Sequence, residues 1–439
     1  MNGWLALSLE VRLAILFVVG AMVGGFVNWA IYSLAYFSRP ISPWSAPPKE
    51  LNRRTWRDRI PVVGWWFLRR ESKVHGTGFW FRPMMLELSL GALFALLYIW
   101  EVDVAFPAMI PEPEARVPVM QVVGLNKQNV ELSGRLHAQY LSQILLLALM
   151  TAASFIDFDE KIIPDGITVT GTLLGLILAA ALPSSFLAVV YYPPAAQVPT
   201  VGAIHIAAPH RWPTFLDGAP NWMSLAIGLF CLWAWCFALV HRPWHGRRGF
   251  FFALKICCAR MLRGLLSPFM LLIEIFGAAA IVGVWWMGGE HWQGLLTALL
   301  GMAIGGGIIW AVRLIGFVAL QKEAMGFGDV TLLAMIGTFL GWQACLIIFF
   351  LAPMAGLILG VGQWLLKREN EIPYGPFLCL AALFVLVRWS DVWNWSRHLF
   401  DLGWRIPLVL LVGLALMAIL LRLWRFIAER WLLQQDGEG

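Results

Sequence analysis

The sequence predicts an all-α polytopic integral membrane protein with about eleven transmembrane helices. Three observations predict it. The 439 residues are 60% hydrophobic and only 13% charged, whereas soluble domains carry roughly 25% charged residues and could not hide this much apolar surface in one core. Apolar stretches approaching the roughly 20 residues that span a bilayer as a helix recur along the whole chain, so they are spans and not one cleaved leader. Lysine and arginine gather in alternate loops, as the positive-inside rule requires. The net charge of +6 follows from that topology and does not call for nucleic acid. The 25 tryptophans suit the bilayer interface, where an indole buries its ring and keeps its N–H near water.

The first span is predicted near 13–37. The loop after it carries Arg39, Lys49, Arg53, Arg54, Arg57, Arg59, Arg69, Arg70, Lys73 and Arg82, which places it in the cytoplasm and the N-terminus outside. Spans follow near 84–100, 140–156 and 167–190. The Pro- and Glu-rich stretch 101–138 is predicted to lie outside, and DFDEKIIPD (Asp157 to Asp165) at the cytoplasmic edge. A proline-rich outer loop leads to spans near 223–240 and 269–287, joined by a second basic loop with Arg242, Arg247, Arg248, Lys255, Arg260 and Arg263. The span near 295–320 carries Gly301, Gly305, Gly306 and Gly307, which permit close helix packing, and it delivers EAMGFGDV (Glu323 to Val330) to the cytoplasmic face. The apolar run 330–340 is too short for a comfortable span and must tilt, thin the bilayer or re-enter. Spans near 347–366, 377–387 and 407–421 complete the chain, with the C-terminus inside.

Six cysteines are present, Cys231, Cys236, Cys257, Cys258, Cys345 and Cys379, and none forms a CxxC pair. Neither a zinc site nor a disulfide framework is indicated.

Topology brings the two acidic motifs to one face although they are far apart in sequence. An aspartate at the edge of hydrocarbon is costly and needs a partner, so it is a functional candidate by default. Two facing carboxyls share a proton, which is what aspartic proteolysis needs: one takes a proton from water and the other donates to the scissile carbonyl. Gly326 and Gly328 leave room for an extended substrate backbone and tolerate unusual torsions, and Asp329 is predicted as the cap of the helix that follows. The plainer reading of an aspartate after glycine at a helix start is a cap alone. Asp157 and Asp159 lie two residues apart, roughly 200° of helix rotation, so only one can face the partner. Asp165 reads as the cap of the span near 167–190.

The combination IDFDEKIIPDGITV, EAMGFGDVTLLAMIGTFLGWQA and IPYGPFL, in this order, resembles the bacterial type IV prepilin peptidases, membrane aspartyl proteases of the GxGD type. GAMVGGFVNWAIY (Gly20 to Tyr32) resembles their first span, and RIPVVGWW followed by FRPMMLEL is also similar. The resemblance covers roughly half the chain, and several ordered motifs are far more specific than one GxGD match. It implies a GxGD aspartyl protease-like fold with Asp157 and Asp329 as the catalytic pair and Asp159, Asp165, Gly326 and Gly328 in support. It implies a prepilin or pseudopilin substrate, type IV pilus or type II secretion, cut at the cytoplasmic face of the bacterial inner membrane, with the lipid bilayer as the other partner. Proteolysis would need no cofactor or metal.

Many such proteins also methylate the new N-terminus, which makes S-adenosylmethionine a candidate cofactor. Asn28, Arg82 and Glu87 match family positions and mark a methyltransferase or substrate region. Two departures stand out. The first cytoplasmic loop lacks the CxxC pairs that many members carry, and Gly25 stands where the family has serine. The gap between the acidic motifs also holds an extra helix pair.

The expected organisation is therefore a first span (1–38), a basic cytoplasmic loop (39–83) and helices with the first aspartate motif (84–190). An insertion (191–292), helices with the GxGD motif (293–390) and an extra C-terminal helix with its tail (391–439) follow. A transporter or a non-catalytic pilus or secretion scaffold is the alternative. A transporter places acids near the midplane and repeats its halves, and neither feature is evident here.

Overall fold

A computed structural model of the chain describes residues 4, 6–36, 41–45, 53–101, 127–191, 200–240, 259, 262–264, 266–320, 325–367, 373–403 and 405–435. Arg39, Lys49, Cys257, Cys258, Arg368, Ile372, most of the second basic loop and the central part of the 101–138 loop lie outside the described residues. The helices are α1 (Leu9–Leu34), the short α2 (Val63–Leu68) and α3 (Ser72–His75), α4 (Phe81–Ile99), α5 (Lys127–Glu160) and α6 (Asp165–Ala181). After a two-stranded hairpin, β1 (Ala188–Tyr191) and β2 (Thr200–Ala203), come α7 (Trp222–Leu239), α8 (Pro268–Met287) and α9 (Gly289–Leu320). The chain continues through α10 (Phe327–Lys367), α11 (Gly375–Val387), α12 (Trp389–Phe400) and α13 (Arg405–Gln435). The protein is an all-α polytopic membrane protein. Among the described residues eight helices are long and apolar enough to cross a bilayer, and α11 with α12, bent by 97°, makes a ninth.

All eleven predicted segments are helical, but several are not simple spans. The segment expected near 167–190 is helical only to Ala181, where Pro183 follows and the backbone turns into β1. Two predicted spans, 330–340 and 347–366, are the two arms of α10. Gly341, at φ 82° and ψ 169°, breaks the helix between them. This is a left-handed torsion that glycine adopts without a Cβ clash. The arms fold back on each other: the Cys345 thiol lies 3.8 Å from the Leu333 carbonyl, whereas twelve residues of straight helix would hold them about 18 Å apart.

This hairpin packs most intimately on α9. A Cβ at Gly301 or Gly337 would strike the other's carbonyl, and one at Gly305 would come 2.7 Å from the Leu333 carbonyl. Of the four glycines expected to allow close packing, Gly307 alone faces open space. Helices α7 and α8, the predicted insertion, lean on the outside of α9. Helix α13 also touches α9 and leaves most of its apolar surface exposed.

The end of the α10 hairpin at Gly341 is roofed by irregular chain. Trp342 Nε1 donates to the Ile206 carbonyl at 2.9 Å and Gln343 Nε2 to the His205 carbonyl at 2.7 Å. From the side, α12 lays Trp389, Trp393 and Phe400 against the roof as a stacked row, with Phe400 edge-on to Trp342. Trp389 Nε1 ties α12 to the β1 residue Ala188 at 2.8 Å. Non-helical backbone inside a membrane fold is tolerated where protein covers it, and the roof does so here.

The loop between α1 and α4 is held by charge and not by cysteine. Arg54 and Glu71 are 4% and 1% exposed and pair at 2.7 Å, with Arg54 also donating to the Ser42 and Ser45 carbonyls. Nearby, burial works against the charge of Asp58, but the Thr55 N–H and the Arg70 guanidinium outweigh it and hold the carboxyl below its usual 3.8. Removing one member of a buried pair leaves an uncompensated charge, which costs about 3–5 kcal/mol. Glu71→Ala is therefore expected to unfold this loop at lower temperature than the membrane helices. Limited proteolysis across a temperature series measures this, and an unchanged cleavage temperature would count against it.

Candidate active site

Three helix ends converge on one point. The first is the last turn of α5, which carries Asp157. The helix stops because Lys161, at φ 57°, turns left-handed, its N–H still bonded to the Asp157 carbonyl at 2.8 Å. The second is the start of α10 with Asp329, and the third is the start of α11 with Gly375. Asp157 and Asp329 are 5% and 7% exposed and close enough for their charges to interact. Among the described residues neither carboxylate is paired with a cation.

Each carboxylate is instead held by a backbone N–H. Asp157 accepts from Gly375, and Asp329 accepts from Gly326. Asp329 was expected to cap α10, but the helix begins at Phe327. Asp329 sits inside the first turn and reaches back to the residue before the helix, as the acid of a capping box does. Asp165 is likewise the first helical residue of α6, behind Pro164 at the cap position. It is exposed, and its charge suits the positive end of the helix.

Two residues of the site escaped the sequence reading, Gly375 and Ile163. A Cβ on Gly375 would lie 2.5 Å from Asp157 Oδ2 and 2.8 Å from Ile163 Cδ1. One on Gly328 would lie 2.8 Å from Ile163 Cβ. Ile163 is thus wedged between two bare stretches of backbone, and Gly328 serves that contact. Gly326 is different: apart from Asp329 and Gly328 N nothing lies near its missing side chain. Gly375 was visible only as part of IPYGPFL, a motif with no titratable group beyond Tyr374. Tyr374 lies near enough to Asp329 to feel its charge.

Asp159 points away from the pair. Both its oxygens accept from Arg82 Nη1, at 2.9 and 2.8 Å. Asn28 and Glu87 meet elsewhere, between α1 and α4. Glu87 Oε1 accepts from Asn28 Nδ2 at 3.1 Å and Trp65 Nε1 at 2.7 Å, and its Oε2 from the Val62 N–H. Val62 is a β-branched residue at φ 66°, a strained torsion that the buried Glu87 holds in place. The three residues grouped from sequence therefore separate: Asn28 and Glu87 form one cluster, and Arg82, also on α4, reaches across to the aspartate helix α5.

Fold and site define a polytopic helical membrane protein with two buried aspartates facing each other across helix ends. Residues 18–101, from α1 to the end of α4, match the family model of the bacterial peptidase A24 N-terminal domain. The chain is 35% identical over 120 residues to the prepilin leader peptidase/N-methyltransferase of Aeromonas hydrophila, covering 24% of this chain and 41% of that protein. The protein of the same name from Pseudomonas aeruginosa is 37% identical over 97 residues, 21% of this chain and 33% of its own. That from Escherichia coli K12 is 33% identical over 94 residues, 21% and 42%. The matches thus span about two fifths or less of these relatives' length. No solved structure matches the chain. The similarities to prepilin peptidases thus cover part of the chain.

Proposed function

We propose that the chain is a membrane aspartyl endopeptidase that removes the leader of type IV prepilins or type II secretion pseudopilins at the cytoplasmic face of the inner membrane. The observation that carries this reading is the meeting of Asp157 and Asp329, buried, without a cation among the described residues, and each aimed by one backbone N–H. In such a pair the ionised carboxylate takes a proton from water, and the protonated partner donates to the scissile carbonyl oxygen. The Gly375 and Gly326 N–H groups fix where each carboxylate points, so both roles are set before substrate arrives. A cytoplasmic site is supported by the arginine-rich loop, which leaves the membrane at the same end as the two aspartates. A transporter fits less well, since both acids sit at helix ends.

N-methylation, the second activity in the relatives' names, is carried to this chain as part of the proposal. In the Asn28–Glu87 cluster Glu87 Oε1 already accepts two hydrogen bonds and Oε2 one, which leaves one acceptor site of this buried carboxylate for a ligand such as S-adenosylmethionine. No step is assigned to it there. The test is co-expression with a pilin from the same genome, followed by mass measurement of the pilin N-terminus. Loss of the leader is the expected result. An intact leader beside a membrane-inserted protein would favour the scaffold, and an added 14 Da, the mass of one methylene, on the processed product would show methylation (about 14 Da per methyl group gained).

A further inference from the structure

We propose that Arg82 is a positioning residue of the aspartate pair, gripping the back of α5 so that Asp157 faces Asp329. The proposal rests on the peptidase reading for its kinetic consequence and on geometry for the grip itself.

Arg82 stands in the first turn of α4. Its guanidinium lies over the Phe155 ring, 4.9 Å from the centroid, and its Nη1 donates to both oxygens of Asp159. Phe155 and Asp159 are four residues apart, so they share one face of α5. Asp157 lies midway between them in sequence, roughly 200° of rotation from each, and so looks out from the opposite face. One side chain thus fixes the rotation of the turn that presents the carboxylate. A second tie lies next to it, where the Tyr36 N–H donates to Glu160 Oε2 at 2.6 Å.

The turn needs such a grip. It is the last of α5, where carbonyls lose their intrahelical partners and ends fray, and Lys161 leaves the helix at once. Arg82 is itself well anchored: the carbonyl of the next residue, Pro83, accepts from Asn28 Nδ2 at 3.0 Å, and Glu87 one turn on is locked as described. The anchor lies inside the matched N-terminal domain and Asp157 outside it. Arg82 is therefore the joint through which that domain orients the aspartate helix.

The Arg82–Asp159 pair is about two fifths exposed on both sides, and such pairs contribute little to overall stability. Its loss should register in the geometry of catalysis and not in folding. A misplaced reacting group costs up to about a hundredfold in rate; for a turn still held by Glu160 the expected loss of kcat in Arg82→Ala and Asp159→Ala is about tenfold, with KM nearly unchanged. Because Arg82→Ala already removes the contact to Asp159 as well as the cover over Phe155, the double variant should be no worse than Arg82→Ala. Hydrogen exchange of the peptide covering Phe155 to Glu160 should speed up in all three, and by the same amount in Arg82→Ala and the double variant, whether or not a pilin is cleaved.

Kinetics on a co-expressed prepilin and exchange on the purified protein together decide. Multiplying losses, a rise in KM at constant kcat, or unchanged exchange would each overturn the grip. If the wild-type protein cleaves no pilin, the peptidase reading fails and exchange alone still tests the contact.

Discussion

Asp157→Asn and Asp329→Asn should each abolish leader removal, and the double variant should look the same as either single one. Each asparagine keeps the shape and burial of the aspartate and can still accept from the Gly375 or Gly326 N–H. What disappears is the ability of the pair to pass a proton. Groups that act as a unit lose nearly everything with the first removal, and further removals add little; a fall of at least about a thousandfold is expected. The measurement is the fraction of co-expressed pilin with a shortened N-terminus, beside a membrane-fraction blot that shows the variant inserted. Cleavage retained at a tenth of the wild-type level in either variant would displace that aspartate from the site.

The next largest effect falls on a residue with no side chain. Gly375→Ala places a methyl group 2.5 Å from Asp157 Oδ2 and against Ile163. Neither neighbour can retreat easily, because Ile163 already fills the space beside Gly328. The carboxylate must turn away and lose the Gly375 N–H. A displacement of this kind costs about a hundredfold in rate, with α11 still helical since alanine favours a helix more than glycine does. Gly307→Ala is the matching control, because nothing lies within 4 Å of its added carbon. Equal activity of the two variants would show that Asp157 does not depend on Gly375 for its position.

Much of the site could be read from residue types and phase. A carboxylate near hydrocarbon advertises itself, and the half-turn between Asp157 and Asp159 already said that only one of them could face the partner, the choice of Asp157 coming from the resemblance. The residues that were missed work by being small or apolar. Ile163 and Gly375 act through the space they fill or leave, and a single sequence does not reveal which other backbone approaches them. Arg82 was singled out by its motif but joined to Asn28 and Glu87, since sequence alone cannot show that neighbours on α4 point to different helices. The fold was legible in the same uneven way. Apolar length located the long helices but not the short α2 and α3 or the polar α12, and the reversal at Gly341 depends on one torsion, covered by chain from the proline-rich loop and α12, both distant in sequence.

The reversal at Gly341 has a bearing on the membrane itself. The first arm of α10 runs from Phe327 to the glycine, about 20 Å of helix at 1.5 Å per residue, against a hydrocarbon core of about 30 Å. The polar backbone of His205 to Ala208 therefore meets the chain well inside the thickness that lipid would otherwise occupy. Around the short arm the 32-residue α9 is long enough to cross the full thickness beside it. The barrier between the aspartates and the roof is thus one short helical arm, about two thirds of a hydrocarbon core in length.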